Sequence, residues 1–450
     1  MNRSTTFVIS IIFLAAPISE NALGASGSDY WPSWRGQNCT GISEKVNPPV
    51  TWSETKNIKW KVKLTGDESN SSPIIWGNKI FFQTAIKTDV QGKAAPAPSN
   101  TGGRSGRRRG LGGSPPTNVF KFNLVCLDRN NGEVVWQKTV REELPHQGHH
   151  RDHGFASYTP VTDGKLIWAN FGSRGICCFD LDGNMKWGKD LGKMNTIMGF
   201  GEGGSLSVAG DAVIVVRDHE GDSFIIALNK KTGDPIWKKE RDEPTSWATP
   251  LPIEVNGKIQ VVVSATNKIR SYDLKTGEII WQCSGQTRNV IPTPVTDFGM
   301  VYCTSGFRGS SLQVIELGRT GDLTDTDAVK WHVKEATPYV PSPLLYGDKL
   351  YVCSGNLGVI SCYNTRTGKA YFFKEQLEEI NGIYASPSAA AGRVYFVGRN
   401  GVTYVLKASE KFEVLAVNKL QDRIDCSPAF VGDEMYLKGK ENLYCIAGSK

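Results

Sequence analysis

The sequence predicts an all-β protein: a single eight-bladed β-propeller of four-stranded antiparallel blades, with its ring closed by an N-terminal strand. Three observations support this fold: a dipeptide that recurs about every 44 residues, four short strands predicted within one repeat, and a Gly–Trp pair at a fixed offset. Repetition over hundreds of residues indicates one structural unit used many times. The recurring dipeptides are Ser72-Pro73, Thr159-Pro160, Ser205-Leu206 (a copy without proline), Thr249-Pro250, Thr293-Pro294, Ser342-Pro343, Ser386-Pro387 and Ser427-Pro428.

The repeat that starts at Thr249 shows how its four strands are predicted. An Asn-Gly turn separates a first strand from the apolar residues 258–264, and a third strand alternates over residues 268–274. A turn at Gly277, where glycine can adopt a positive φ, leads to a fourth strand. Four short antiparallel strands in about 44 residues are typical of one propeller blade.

A tryptophan follows the turn glycine of four repeats, four residues later. Indole offers a large flat face and an N–H that can reach a backbone carbonyl, so it suits packing between neighbouring blades. Because so many tryptophans cannot all reach one ligand, we interpret them as structural docking residues rather than as a stacking site. The predicted docking residues are Trp60, Trp136, Trp187, Trp237, Trp281, Trp331 and Phe372.

The C-terminal repeat is one strand short. After Ser427 the chain has room for only three strands, whereas residues 57–62, which contain Trp60, resemble a fourth strand that belongs to no upstream repeat. We therefore predict that this N-terminal strand completes the last blade and closes the ring, which leaves no open edge. The propeller is expected to occupy residues 29–450.

The first 25 residues have the pattern of a secretory signal peptide. Arg3 provides a positive start, residues 7–18 are an apolar stretch, and small residues lie near Ala25. Downstream, the sequence has no run of about 18 apolar residues such as a membrane helix needs. We expect an exported protein, periplasmic or extracellular, whose mature part has no transmembrane segment and folds as a monomer.

The net charge of +7 is concentrated in one segment. Residues 87–118 hold six basic residues, one acidic residue and many Gly, Ser and Pro, a composition that cannot bury a core. We expect a disordered basic insertion between the second and third strands of the first blade. A nucleic-acid-binding fold would carry its charge on structured faces, so no nucleic-acid partner is predicted.

Ten cysteines in an exported protein permit disulfides. Cys303 and Cys353, however, share one place in the repeat, and four other cysteines share a second place. This register indicates small buried hydrophobic residues and leaves their pairing open. The four cysteines are Cys126, Cys178, Cys362 and Cys445.

Four histidines fall within residues 146–153, which we call the His loop, just before the second blade. Imidazole is a common transition-metal ligand, and His149 and His153 are the candidate ligands of a metal site. The alternative is that these rings are solvated or hydrogen-bonded, since no helix fixes their spacing.

The segments that precede the inner strands should emerge together on one face of the propeller, around the mouth of the channel; we call this the loop face. Functional groups usually lie on loops held by a rigid scaffold, so aromatic and charged side chains there form a candidate binding surface. The alternative is that these side chains are polar only because loops generally are. The candidates are His149, His150, His153, Glu202, Trp247, Arg288, Asn289, Tyr339, Tyr384, Asp422, Arg423 and Asp425, with Asp67, Glu68, Asn70 and Asn381 as further members.

The repeats resemble the pyrroloquinoline-quinone-type (PQQ-like) repeat, whose blades carry a Leu-Asp-x-x-Thr-Gly-x-x-x-Trp pattern. Matching segments are residues 127–136, 228–237 and 272–281. The opening Trp-Pro-Ser-Trp-Arg-Gly of residues 31–36, together with Asn-Ile-Lys-Trp at 57–60, is similar to an exported planctomycete-type subfamily without an assigned reaction.

The resemblance implies an eight-bladed propeller and two contrasting functions. Quinoprotein alcohol dehydrogenases hold PQQ and Ca²⁺ in the channel, next to a ring of two adjacent disulfide-bonded cysteines. The propeller subunit of the outer-membrane barrel assembly machine is instead a scaffold without a cofactor. This chain has a vicinal pair, Cys177-Cys178, but Cys178 fills the repeated third-strand position, so we expect the pair within a strand.

We therefore predict a non-enzymatic exported scaffold that binds a protein or envelope glycan partner through the loop face, with no cofactor. The alternative is a PQQ- and Ca²⁺-dependent quinoprotein oxidoreductase that acts on a small alcohol or sugar. The fold alone does not decide between them.

Overall fold

The computed structural model describes residues 30–65, 69–93 and 112–448. Within these residues the chain forms eight β-sheets, each built on four antiparallel strands, which are the eight blades of a propeller. The predicted fold class is therefore confirmed. No helix in the described part of the chain is long and apolar enough to cross a membrane. The predicted signal peptide lies outside the described residues.

Three strands precede the first complete blade along the chain: β1 (Tyr30–Trp31), β2 (Ile42–Ser43) and β3 (Ile58–Lys63). Blades 1 to 4 take four strands each in chain order: β4 (Ile74–Trp76), β5 (Lys79–Gln91), β6 (Asn118–Asp128), β7 (Val134–Glu143), β8 (Val161–Thr162), β9 (Leu166–Asn170), β10 (Ile176–Asp180), β11 (Met185–Lys189), β12 (Ser207–Ala209), β13 (Ala212–Arg217), β14 (Phe224–Asn229), β15 (Pro235–Glu240), β16 (Leu251–Val255), β17 (Lys258–Val263), β18 (Ile269–Asp273) and β19 (Ile279–Cys283).

Blades 5 to 8 follow, with β23 joining blade 4 instead and β3 supplying the last strand of blade 8: β20 (Val295–Asp297), β21 (Met300–Ser305), β22 (Ser311–Glu316), β23 (Gly321–Asp322), β24 (Val329–Val333), β25 (Leu344–Tyr346), β26 (Lys349–Cys353), β27 (Val359–Asn364), β28 (Ala370–Gln376), β29 (Ser388–Ala390), β30 (Arg393–Val397), β31 (Val402–Lys407), β32 (Val414–Lys419), β33 (Ala429–Val431), β34 (Glu434–Lys438) and β35 (Asn442–Ala447). The helical elements of the described chain are short 3₁₀ turns at Gln37–Cys39, Gly172–Arg174 and Ile197–Gly199.

The ring closes through its N-terminal strand, as predicted. β3 pairs with β35 in antiparallel register, with Trp60 opposite Cys445, and so forms the outer strand of blade 8. The remaining three strands of that blade come from the C-terminal end of the chain. Backbone hydrogen bonds within this one sheet therefore join an N-terminal strand to the C-terminal strands of the chain.

The recurring Ser/Thr residues form a closed circle of hydrogen bonds around the channel. The backbone N–H of each residue donates to the side-chain oxygen of its counterpart in the next blade, from Ser72 to Thr159 at 3.0 Å and finally from Ser427 back to Ser72 at 3.1 Å. Ser205 keeps its place although its repeat lacks the proline, because the hydroxyl makes the contact. The members, all buried, are called the hydroxyl ring: Ser72, Thr159, Ser205, Thr249, Thr293, Ser342, Ser386 and Ser427.

Residues 30–43, which we call the N-terminal segment, fill one end of the channel. β1 pairs with β4, the inner strand of blade 1, and β2 pairs with β29, the inner strand of blade 7. Between them, Cys39 packs with Leu251 of the inner strand of blade 4. Because each inner strand runs from the hydroxyl ring away from the loop face, the N-terminal segment lies beyond the ring and closes that end of the channel.

The docking residues lie between neighbouring blades. Trp237 of blade 3 donates its indole N–H to the Leu274 carbonyl oxygen at 2.8 Å. It also covers Gly277 of blade 4, whose φ is +71° and where an added Cβ would lie 2.6 Å from the indole ring. The same donation to the next blade recurs in the pairs Trp60–Arg129, Trp136–Leu181, Trp187–Lys230 and Trp331–Thr365.

Two docking residues depart from this pattern. Trp281 is fully buried, but its Nε1 has no hydrogen-bond partner among the described residues. At this position blade 5 has a longer loop, and β23 from that loop pairs with β19. Phe372, which has no N–H to donate, packs edge-on against Phe412 with ring centroids 5.7 Å apart.

All ten cysteines are among the described residues; each is buried, and no disulfide joins them there. Burial raises the pKa of the Cys178 thiol to about 12, so it stays protonated at neutral pH. Each of the four cysteines at the repeated position lies opposite a docking residue of its own blade. Because the docking residue is large, the residue opposite it must have a small side chain. These register pairs are Cys126–Trp136, Cys178–Trp187, Cys362–Phe372 and Cys445–Trp60.

The basic segment connects the second and third strands of blade 1. β5 continues to Gln91 and β6 begins at Asn118, so both ends of the segment extend these strands. Residues 94–111, which carry its four arginines, lie outside the described residues.

Removal of one hydroxyl tests the hydroxyl ring. Thr249→Val should lower the free energy of unfolding by about 1–3 kcal/mol, because the buried N–H of Ser205 loses its acceptor while the side chain keeps its shape. Thr249→Ser keeps the hydroxyl and should cost only about 1 kcal/mol for the lost methyl group. Chemical denaturation followed by tryptophan fluorescence measures both values. A valine variant at least as stable as the serine variant would contradict a stabilising role for the ring.

Candidate functional site

The channel opens on the loop face as a cavity of about 470 Å³, a volume typical of small-ligand sites. All eight members of the hydroxyl ring line its inner end. Its outer wall consists of the segments that precede the inner strands, because these segments emerge together around the channel. The closed end of the channel lies beyond the ring, where the N-terminal segment crosses it.

Aromatic side chains from several blades make up much of the cavity wall. Trp247 donates its indole N–H to the Gly201 carbonyl oxygen at 2.9 Å, which fixes the orientation of its ring. Tyr339 stacks on Phe307 with centroids 5.0 Å apart and an interplanar angle of 27°. Trp34 of the N-terminal segment also lines the cavity. This aromatic part of the wall is therefore held in place by a hydrogen bond and by stacking.

A compact charge cluster lies at one side of the mouth. Oδ1 of Asp152 in the His loop accepts hydrogen bonds from Nη2 of Arg399 at 2.8 Å and of Arg423 at 3.0 Å. The Nε atoms of the same two arginines donate to Asp425 at 2.7 and 2.9 Å. Tyr384 donates its hydroxyl to Oδ2 of Asp152 at 3.2 Å. Two carboxylates thus balance two guanidinium groups, and the cluster ties the His loop to blades 7 and 8.

Two histidines of the His loop line the cavity. His150 is edge-on to Phe200 with centroids 5.5 Å apart, and Nδ1 of His153 lies 2.8 Å from the Ser157 hydroxyl. Burial lowers the pKa of both rings, in His153 to about 4, with repulsion from His149 as a further cause. Both rings are therefore mainly neutral at pH 7 and add no full positive charge to the cavity.

The structure brings about half of the predicted binding residues together. Arg423 lies in the charge cluster beside the cavity. Asn70 also lines the wall and donates to the Asp152 carbonyl oxygen at 3.2 Å. The principal candidates that line the cavity are His150, His153, Trp247, Tyr339, Tyr384 and Asp425.

Other predicted binding residues lie outside the cavity wall. Glu202 accepts hydrogen bonds from the backbone N–H and hydroxyl of Ser173 at 2.7 and 2.5 Å, so it holds a neighbouring loop. Asp422 accepts the backbone N–H of Asn442 at 2.9 Å. Asn289 is buried, and its N–H donates to Thr266 at 3.1 Å.

The remaining candidates also lie outside the cavity wall. Arg288 and Asn381 are exposed outside it. His149 lies against Phe155, with Nδ1 2.8 Å from the His150 carbonyl oxygen. The candidates Asp67 and Glu68 lie outside the described residues.

Arg399, Phe307 and Trp34 line or border the cavity and were not among the predicted candidates. Arg399 and Phe307 lie in connections between the second and third strands of blades 7 and 5. Because antiparallel strands alternate in direction, these connections emerge on the same face as the segments before the inner strands. The predicted strand order was therefore sufficient to place Arg399 and Phe307 on the loop face. No sequence pattern places Trp34 in the channel.

A family model described as outer membrane protein assembly factor BamB matches residues 121–372 and 221–447, more than half of the chain. The chain belongs to this family. The predicted resemblance to PQQ-like repeats is thereby confirmed, whereas the planctomycete-type subfamily stays a prediction.

Solved structures of two kinds share the propeller fold. BamB from Moraxella catarrhalis is similar with a TM-score of 0.50 at 14% sequence identity, over 80% of this chain and 98% of that one. Quinohemoprotein alcohol dehydrogenase ADHIIG from Pseudomonas putida HK5 is similar with a TM-score of 0.53 at 11% identity, over 94% of this chain and 81% of that one. Such low identities establish the fold alone.

A curated relative, tetrathionate hydrolase of Acidithiobacillus ferrooxidans, is 23% identical over 368 residues. The match covers 76% of this chain and 65% of that protein. This member of the BamB family therefore spans less than two thirds of the relative's length.

The vicinal cysteines do not border the cavity. Cys177 and Cys178 lie within β10, the third strand of blade 2, and point into two different hydrophobic clusters. The carboxylates at the cavity mouth, Asp152 and Asp425, are already paired with arginines. The described residues of the cavity therefore do not fit the quinone–calcium arrangement that the resemblance to dehydrogenases implies.

The predicted metal ligands His149 and His153 have different neighbours. Nδ1 of His149 is near the backbone of His150, whereas Nδ1 of His153 is near Ser157. Among residues 30–65, 69–93 and 112–448, no group of three or more His, Cys, Asp or Glu side chains is arranged to hold a metal ion. The His149–His153 metal site stays a prediction.

The low pKa of His153 predicts a loss of stability in acid. In the unfolded chain His153 binds a proton near pH 6.5, but in the folded protein it does so only near pH 4. The contribution of the neutral ring to the free energy of unfolding is therefore complete above pH 6.5 and declines as the pH falls towards 4. The contribution is up to about 3 kcal/mol. Denaturant unfolding of the wild type and His153→Gln at about pH 7 and about pH 4.5 should show a smaller decline in the variant. Parallel declines would contradict the assignment to His153.

Proposed function

We propose that the protein is an exported propeller scaffold that binds a protein partner through the loop face, without catalysing a reaction. The observation that carries this proposal is the convergence of segments from blades far apart in sequence around one opening of about 470 Å³. Membership of a family described as an outer membrane protein assembly factor favours a protein partner in the cell envelope over a glycan.

The aromatic wall suits an anchor side chain of a partner. Protein interfaces gain most of their affinity from a few bulky side chains that enter desolvated pockets. Trp247, Tyr339 and Trp34 line the cavity, and its volume accommodates one or two large side chains. A partner loop with an exposed aromatic or aliphatic residue would bury that residue here.

The mouth of the cavity supplies polar contacts around this apolar centre. Arg151 of the His loop is 83% exposed and lies beside Asp152 in the charge cluster. An apolar centre with a polar rim is the usual anatomy of a protein interface. Charged groups at the rim mainly determine which partner is accepted and how fast it associates.

The cavity walls are fixed before any partner arrives. The hydroxyl ring ties every blade to the next, and Trp247 and Tyr384 are each held by a hydrogen bond from their polar tip. A preorganised surface loses little conformational entropy on binding. This rigidity favours recognition of a partner by a preformed surface.

A cross-linking experiment tests the proposal. Tagged mature protein is incubated with an envelope extract of its source organism, cross-linked, and the captured protein and contact sites are identified by mass spectrometry. We expect cross-links on the loop face. Recovery of the same partner should fall about tenfold or more for Trp247→Ala/Tyr339→Ala, because the variant loses two aromatic anchors.

The control is Val134→Ala/Ile279→Ala, which alters the circumference of the propeller, where these side chains are 63% and 50% exposed. This variant should capture the partner as the wild type does. Cross-links on the circumference, or equal capture by both variants, would overturn the proposal. Turnover of an alcohol or sugar that depends on added PQQ and Ca²⁺ would replace it with the oxidoreductase alternative.

A further inference from the structure

The hydroxyl ring has hydrogen-bonding capacity that the fold does not use. Each side-chain oxygen accepts one backbone N–H from the preceding blade. None of the eight O–H groups has a hydrogen-bond acceptor among the described residues, and all eight residues line the cavity. A hydroxyl whose oxygen already accepts a hydrogen bond is a stronger donor, because linked hydrogen bonds polarise one another. The inner end of the cavity is thus a circle of donors.

A buried arginine lies next to this circle. The side chain of Arg35 in the N-terminal segment is fully buried. Its Nη2 donates to the carbonyl oxygens of Thr40 at 3.1 Å and Pro387 at 3.5 Å, and Pro387 directly follows Ser386 of the ring. Nε and Nη1 have no hydrogen-bond partner in the part of the chain that the structure describes. Arg35 therefore places a guanidinium group beside the hydroxyl ring.

The charge of Arg35 is not balanced locally. Burial lowers its pKa to about 10, so it remains protonated at neutral pH. Arg217, which is also buried, is attracted by the carboxylates of Glu202 and Asp190, whereas no carboxylate among the described residues shifts the pKa of Arg35. A buried charge without a counter-charge is strongly destabilising. The channel therefore favours a negative charge near the ring.

We propose that the inner end of the cavity binds a small oxyanion, a carboxylate or an inorganic oxyanion such as sulfate, through the O–H groups of the hydroxyl ring. Arg35, in the N-terminal segment beyond the ring, is the counter-charge of the bound oxyanion. Because the side chain of Arg35 is shielded from the cavity, it attracts the oxyanion through its electric field and not by direct contact. A metal cation would be repelled by Arg35, and a neutral ligand would leave the charge unbalanced. The aromatic wall above the ring leaves room for an apolar substituent, so an aromatic carboxylate fits best.

Benzoate is the probe, with benzamide as its neutral counterpart. Isothermal titration calorimetry on the purified mature protein at constant ionic strength should show saturable binding of benzoate, competition by sulfate and much weaker binding of benzamide. Arg35→Gln should weaken benzoate binding about tenfold, because the counter-charge is lost. Arg217→Gln removes a buried guanidinium outside the cavity wall and should leave the affinity unchanged.

Two variants at a position of the hydroxyl ring keep the proposal testable even if Arg35→Gln does not fold. Thr249→Val removes one O–H and should weaken benzoate binding about threefold or more, whereas Thr249→Ser should bind as the wild type does. Absence of saturable benzoate binding, equal binding of benzamide, or wild-type affinity in both Arg35→Gln and Thr249→Val would overturn the proposal. Because the assay contains no partner protein, its outcome is separate from that of the partner experiment.

Discussion

A circle of eight hydrogen bonds ties each blade to the next at the channel, and the rest of the molecule is arranged around it. Each bond joins a backbone N–H to a side-chain oxygen one blade away, as from Thr293 to Ser342 at 2.9 Å. A buried N–H without an acceptor is costly, so each position retains a hydroxyl even where the following proline is absent, as at Ser205. The same side chains line the cavity, so stability and cavity chemistry depend on one set of residues.

The N-terminal segment converts a symmetric channel into a cavity with one opening. Trp31 packs into the core against Phe430, with ring centroids 5.6 Å apart, and Trp34 faces the cavity. Gly36 lies directly against the indole of Trp31: its φ is +71°, and an added Cβ would be 2.6 Å from that ring. The opening motif of residues 31–36 is thus explained by packing within the channel, not by the repeat.

The repeat allowed the architecture to be predicted, but only part of the cavity. The spacing of the Ser/Thr-Pro dipeptides located the inner strands, and the unmatched strand around Trp60 gave the closure of the ring. Contacts that cross the channel have no sequence period. Asp152 meets Arg399 although 247 residues separate them. Arg35 is an ordinary surface residue type, and only the path of the N-terminal segment makes it buried.

The residues that break the repeat are those that can give the cavity a specificity. A position that recurs in the repeat, such as that of Cys178 opposite Trp187, is explained by packing within the blade. The charge cluster, by contrast, lies at one side of the mouth, where Asp152 joins blades 7 and 8. Arg35 likewise lies beside one member of an otherwise regular ring. A ligand in the channel therefore meets an even circle of donors but an uneven distribution of charge. That asymmetry can fix the orientation of the ligand, because the ring alone presents nearly equivalent donors in every direction.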